Sequence, residues 1–166
     1  MKTTILILLL VLSFAANGAL WHHITTVEKQ LATQSADYPL GEMMGYMQRY
    51  ADKLWFAGEA RNWELAEFYR GEIAETEEGI GQAHVTKDGI EVSKLISTMF
   101  PPAFDAVSKA VIAHDPVQFR QSYQTMVGTC NACHEASKHG FIQIATPIGA
   151  PTYWNQSFDA APAAKP

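Results

Sequence analysis

The segment that decides the fold is DPVQFRQSYQTMVGTCNACHEASKHG, residues 115–140. Asp115-Pro116 reads as a helix cap followed by proline in the first turn, where its missing N–H costs nothing. From there Phe119, Tyr123, Met126, Val127, Cys130, Cys133 and His134 recur at three and four residues, so one helix is expected from Pro116 to about Gly140. Its stripe is apolar at first and ends in Cys130-Asn131-Ala132-Cys133-His134, which holds both cysteines of the chain. C-x-x-C-H is the attachment motif of covalently bound c-type haem. The spacing has a physical reason, because positions i, i+3 and i+4 share one helical face. Cys130 and Cys133 can each form a thioether to a haem vinyl group, and His134 then lies under the iron as its proximal ligand. Two other chemistries use a C-x-x-C pair. A redox dithiol is expected near a βαβ pattern, and a zinc site needs a second cluster of Cys or His. Neither is found in the sequence, so one covalent haem c is expected.

The N-terminus agrees with that reading. Lys2 precedes an apolar run over residues 5–16, broken by Ser13 and followed by small residues to Ala19. This is the layout of a cleaved secretory signal peptide. The run falls short of the roughly 20 apolar residues a membrane-spanning helix needs, so no stable membrane insertion is expected after cleavage. Cleavage after Ala15, Gly18 or Ala19 fits equally well. Haem attachment outside the cytoplasm and an export signal together point to the periplasm. Loss of residues 1–19 removes Lys2 and no acid. It leaves 11 Lys and Arg against 17 Asp and Glu, a formal charge of −6. Such a surface argues against nucleic acid or an anionic membrane as partner and suits a redox partner with a basic docking patch.

The expected organisation is a signal peptide over 1–19, a lead over 20–38, a helical domain over 39–147 and a Pro/Ala-rich extended tail over 148–166. A first helix is expected from Pro39 to about Ala57, with Leu40, Met43, Met44, Met47, Ala51, Leu54 and Trp55 on one stripe and Gly58 as its stop. Asn62 caps a second helix that carries Glu64 and Glu67 in its first turn and fades near Gly79 and Gly81. No alternating strand pattern stands out. Residues 90–99 form a short helix or the start of a third, and Pro101-Pro102 ends that segment and opens the next. The segment over 115–140 is then the fourth helix, and the fold class is all-α, an antiparallel four-helix bundle with covalent haem on the last helix. Small cytochromes of the mitochondrial type carry the motif near the N-terminus, so its place here points to another fold.

Taken together, Leu40-Gly41-Glu42-Met43-Met44, Lys53-Leu54-Trp55-Phe56-Ala57-Gly58, Asn62-Trp63-Glu64-Leu65-Ala66, Pro102-Ala103-Phe104 and Cys130 to His134 with Phe141-Ile142 resemble the cytochrome c prime class. These are monohaem four-helix-bundle c-type cytochromes, and the nearer likeness is to an exported proteobacterial group among them. The resemblance extends over residues 40–147. It implies haem c, a redox role and pairing into a homodimer through exposed faces of the first two helices, with an exposed Trp63 or Phe68 as its sign.

Members of that class divide by what occupies the distal face of the iron. An open face binds gases such as nitric oxide or carbon monoxide. A methionine from the first helix makes the iron six-coordinate, raises its potential and suits an electron carrier. Met43, Met44 and Met47 are the candidates, and each also reads as core filler. Met44 stands where the related group's Leu-Gly-Glu-x-Met pattern places its methionine, with Gly45 beside it to admit a porphyrin edge. The expected ligands are therefore His134 and Met44, with Met47 or an open face as alternatives. Lys138 is placed to reach a haem propionate or to suit the helix C-terminus. His84 reads as a loop histidine, His114 and His139 as exposed, and His22 and His23 as sites for adventitious metal. Trp55, Trp63 and Trp154 read as haem-pocket or core packing. Enzymatic turnover would need a distal acid–base group such as His or Arg; of these the first helix offers Arg49 only, and it falls off the apolar stripe. A non-enzymatic electron carrier is the leading expectation, and a gas-binding cytochrome the second.

Overall fold

The computed structural model describes residues 2–160; within its first helix the side chains of residues 2–6, 8, 31, 32, 34 and 36 are outside the description. Residues 161–166, the end of the expected Pro/Ala-rich tail, lie outside the described residues, as do several side chains of the expected signal peptide. The chain divides into two compact units, Met1–Tyr38 and Pro39–Pro166. The first unit holds one helix, α1, Lys2–Ala36, which runs unbroken through residues 19 and 20. Among the described residues no helix is long and apolar enough to cross a membrane.

The second unit is all-α apart from one tight hairpin. It contains α2 (Leu40–Glu59), α3 (Trp63–Gln82), strands β1 (Thr86–Lys87) and β2 (Ile90–Glu91), α4 (Val92–Ile112) and α5 (Pro116–Ala136). Each helix packs along the next one in the chain, and α5 returns to touch α2. The core between them is built from Leu54, Ile73, Ile80, Val107, Val111, Phe119, Tyr123 and Met126, all buried.

Local chemistry explains most of the boundaries. The Asn62 side chain accepts from the Leu65 N–H at 3.2 Å and starts α3. The Asp115 carboxylate accepts from the Val117 and Gln118 N–H groups and starts α5, with Pro116 behind it. Each of these two residues satisfies amides that have no partner inside the helix. All four helices end alike: the residue after the C-cap turns left-handed, at Arg61 (φ 56°), His84 (51°), His114 (54°) and Lys138 (62°). At α5 the Lys138 N–H donates to the Glu135 carbonyl and the His139 N–H to the His134 carbonyl, which is the Schellman arrangement.

Four sequence expectations change. Gly58 does not stop α2; it is buried within the helix, and the Phe119 ring fills the space a Cβ would need. Pro101-Pro102 does not divide two helices, because α4 passes through both. The carbonyls that lose their donors belong to Ser97 and Thr98, both exposed, so water can take their place. Phe100, Ala103 and Phe104 anchor the opposite face in the core. The hairpin was hidden from a search for longer alternation, although Asp88 (φ 51°) and Gly89 (φ 77°) form the left-handed pair that an Asp-Gly turn favours. Finally, α5 ends at Ala136 rather than near Gly140.

Buried Ser93 closes the join between α3 and α4. Its hydroxyl donates to the Ile80 carbonyl and accepts from the Val85 N–H at 2.8 Å. Removal of that hydroxyl orphans two buried backbone groups, each of which costs about 1–3 kcal/mol. Ser93→Ala is expected to lower unfolding stability by about 2 kcal/mol in urea titration, with no change in far-ultraviolet helix content.

Candidate functional site

The site grows from the last two turns of α5 and the strand-like segment that follows it. Cys130 and Cys133 are free thiols and, like His134, half-buried. The chain turns back after Lys138, and His134 Nδ1 lies 2.9 Å from the Ile142 carbonyl. A carbonyl only accepts, so Nδ1 carries the proton and Nε2 keeps its lone pair. Histidine ligands of metals are commonly oriented in this way, by a hydrogen bond from the other ring nitrogen. Two more bonds hold the return segment in place. Asn131 Nδ2 donates to the Ile144 carbonyl at 2.9 Å, and the Ile144 N–H donates to Asn131 Oδ1 at 2.7 Å. Asn131 occupies a position that the C-x-x-C-H pattern leaves free, which is why the motif alone does not single it out. His139, expected to be exposed, is half-buried with Nδ1 2.7 Å from the Ser137 carbonyl.

Burial lifts the Cys130 thiol to about 11, with Cys133 nearby adding to the effect, and lifts Cys133 in the same direction. Reactive C-x-x-C dithiols have lowered thiol pKa values, so this environment is the reverse of a redox pair's.

Opposite the motif stands α2. The hydrogen bonds, ion pairs and ring contacts between α2 and α5 fall in one half of the pair. Arg120 bonds Glu59, the Trp55 ring meets Phe119 and Tyr123, and the Tyr123 hydroxyl donates to the Ala51 carbonyl at 3.0 Å. Stepping back from Gly58 along α2 matches stepping forward from Phe119 along α5, as for antiparallel neighbours. Met44 and Cys133 lie equally far from that contact, so the uniform helical rise puts them at the same level. Met44 also shares a helical face with Ala51, Trp55 and Gly58, the residues that meet α5. Met47 is turned toward the core and buried, whereas Met43 and Met44 are half-exposed.

An open cavity of ≈ 490 Å³ lies on the flank of α2, lined by Gly45, Gln48, Arg49, Asp52 and Lys53 and, from the tail, by Tyr153 and Trp154. Beyond its own helix backbone and chain neighbours, nothing lies within 4 Å of where a Gly45 Cβ would be. Trp154 and Phe158 pack on Phe56, Gln156 donates to the Tyr69 hydroxyl at 2.6 Å, and Asn62 donates to the Asp159 carbonyl at 3.1 Å. The described part of the extended tail therefore docks across α2 and α3. Trp55 packs in the α2–α5 contact and Trp63 stacks on His114 (5.5 Å, 3°), while Arg49 lies over the Tyr46 ring and lines the cavity. His84 and Lys138 are exposed at helix ends, and His22 and His23 are exposed on α1.

Known protein families, curated proteins and solved structures contain no match to this chain.

Asp52 was not singled out by sequence, since it lies beside the apolar stripe. It is half-buried, and burial raises its carboxyl to about 6. The unfolded carboxyl titrates near ~3.9, so between those values the folded state binds more protons than the unfolded one. Stability therefore falls as the pH rises through this window. Asp52→Asn removes that loss and is expected to gain on the order of 1 kcal/mol at pH 8, after allowance for partial exposure. The gain should vanish below about pH 4, in urea unfolding of both chains at each pH.

Proposed function

We propose that this chain is an exported monohaem c-type cytochrome, a four-helix bundle of the cytochrome c prime-like class, which carries electrons between periplasmic proteins. One observation carries the reading: His134 of the C-x-x-C-H motif has its Nδ1–H fixed on the Ile142 carbonyl, which leaves Nε2 free for iron. The thiols fit covalent attachment as well, being unpaired, half-buried and one helical turn apart beside that histidine. Haem supplies a one-electron ferric–ferrous couple, which the side chains here lack. Cys130 and Cys133 would hold it as thioethers, and His134 would be the proximal ligand. Met44 would be the distal ligand, since it sits level with Cys133 on the face of α2 turned to α5. Retention of both ligands in both redox states keeps reorganisation small and suits a carrier that turns over no substrate.

The signal-peptide reading of residues 1–19 supplies the route to the periplasm. The acidic surface supports a redox partner with a basic patch. Phe68, 57% exposed on α3 beside Glu64 and Glu67, is the apolar group around which a homodimer would form.

The test is the absorption spectrum of the exported, full-length protein in both redox states, with and without carbon monoxide. A low-spin spectrum indifferent to carbon monoxide is expected, with a methionine–iron charge-transfer band that Met44→Ala abolishes and Met47→Ala retains. A high-spin ferrous form that binds carbon monoxide readily would replace the carrier by a gas-binding cytochrome with an open distal face. Absence of covalent haem, with the double variant Cys130→Ala/Cys133→Ala spectrally identical to the parent, would overturn both.

A further inference from the structure

After α5 the chain runs back beside its last turns without an anchor in the core. No residue from Lys138 to Ala150 is buried; Phe141 is 80% exposed and Ile142 42%. Side-chain packing therefore does little to fix where this segment lies, and hydrogen bonds must do it. Two of its bonds are local, from the Ile142 N–H to the His139 carbonyl at 2.8 Å and from Gln143 Nε2 to the Gly140 carbonyl at 2.6 Å. Among the described residues, the bonds that tie residues 141–150 to α5 come from two side chains. Asn131 makes a closed pair with the main chain of Ile144, donating from Nδ2 to its carbonyl at 2.9 Å and accepting its N–H at 2.7 Å. His134 makes the third bond, from Nδ1 to the Ile142 carbonyl at 2.9 Å. Asn131 and His134 are three residues apart, so they are neighbours on the helix surface. Ile144 and Ile142 are two residues apart on the returning chain. The closed pair fixes both distance and direction at one rung, and the single imidazole bond at the next rung depends on it.

We propose that Asn131 is a positioning residue for the proximal ligand: by clamping Ile144 to α5 it holds the Ile142 carbonyl on His134 Nδ1–H, and so sets the tautomer and donor strength of the imidazole. The redox consequence rests on the cytochrome reading above; the link from Asn131 to His134 does not. A neutral imidazole can carry its proton on either nitrogen, and a carbonyl beside Nδ1 selects the form whose Nε2 lone pair is free. The same hydrogen bond raises the basicity of Nε2. A more basic axial ligand favours ferric over ferrous iron, so the bond lowers the reduction potential. Without the clamp the exposed segment has no second hold on α5, and water takes the place of the Ile142 carbonyl. The imidazole then loses both its fixed tautomer and part of its donor strength, and the potential rises. Ile144 and Ile142 enter through their main chains alone, so their side chains are free to vary while Asn131 is not.

The experiment compares the parent, Asn131→Ala and Ile144→Ala, the last of which keeps both main-chain partners of the clamp. The first readout is nitrogen NMR of the His134 ring in the haem-free full chain, in mildly alkaline solution. The parent and Ile144→Ala are expected to hold the Nδ1–H tautomer, and Asn131→Ala to show the mixture of a solvated imidazole. The second readout is the midpoint potential of the haem-loaded chains. Loss of an outer-shell partner weakens ligation on the order of tenfold, and a tenfold loss of preference for ferric iron raises a one-electron potential by about 59 mV. Asn131→Ala is expected to rise by up to that amount with its absorption spectrum kept, while Ile144→Ala stays at the parent value. An unchanged tautomer or an unchanged potential in Asn131→Ala overturns the proposal and leaves the cytochrome reading intact. An equal change in Ile144→Ala also overturns it, since the effect would then belong to side-chain packing. A chain that acquires no haem overturns the cytochrome reading and the redox role of Asn131 with it, and the tautomer readout still decides the link to His134. If Asn131→Ala does not fold, Asn131→Leu fills the space without either bond, and a parent-like potential in that variant decides against the proposal.

Discussion

The close approach of α2 and α5 at Gly58 and Phe119 is the constraint on which the rest of the second unit depends. The aromatic ring fills the space a side chain at residue 58 would occupy, so it lies directly against the α2 backbone at that level. Trp55 and Tyr123 extend the contact, and the tyrosine hydroxyl on the Ala51 carbonyl fixes its register. Dispersion and apolar burial are strongest in this half of the pair. Beyond it, among the described residues, lie no hydrogen bonds, ion pairs or ring contacts between α2 and α5, and the uniform helical rise puts Met44 at the level of Cys133. A tight end sets the alignment, and the looser end inherits it.

The C-terminal end of α5 is organised by a different device, a folded-back backbone. Once α5 ends in its left-handed turn, the chain must run alongside the helix it has left. Asn131 then ties Ile144 to the last turns of α5, and Ile142 offers its carbonyl to His134. The histidine therefore has its tautomer set by main-chain geometry, which no side-chain substitution at Ile142 would remove. Neither this arrangement nor the burial of the thiols could be read from the five residues of the motif.

What was legible in the sequence was local. Asn62 and Asp115-Pro116 announced helix starts because a cap needs only its own next few amides. The α5 stripe was legible because one period of apolar residues runs into the motif. The unbroken α4 was not, because its passage through Pro101-Pro102 depends on Ser97 and Thr98 facing water while Phe100 and Phe104 are held in the core. Gly58 looked like a terminator because its partner, Phe119, is distant in sequence. The docked tail was illegible for the same reason: Asn62 meets Asp159 and Tyr69 meets Gln156 only after folding. Asp52, Gln48 and Arg49 lay off the apolar stripe, and the cavity on that flank is completed by Tyr153 and Trp154, which are distant in sequence.

The four left-handed helix ends carry a consequence for tolerance to mutation. Glycine adopts that conformation freely, while other residues bear a strain of roughly 1 kcal/mol there. Arg61, His84, His114 and Lys138 are all such residues. The fold thus holds several positions, none of them a cysteine or a proposed iron ligand, at which one substitution would add stability. A lineage that needed to change the flank of α2 or the partner surface could offset the losses at these turns. The capacity to vary lies at the ends of the helices, and at Arg61, His84 and His114 it lies away from the Cys130–His134 turn of α5.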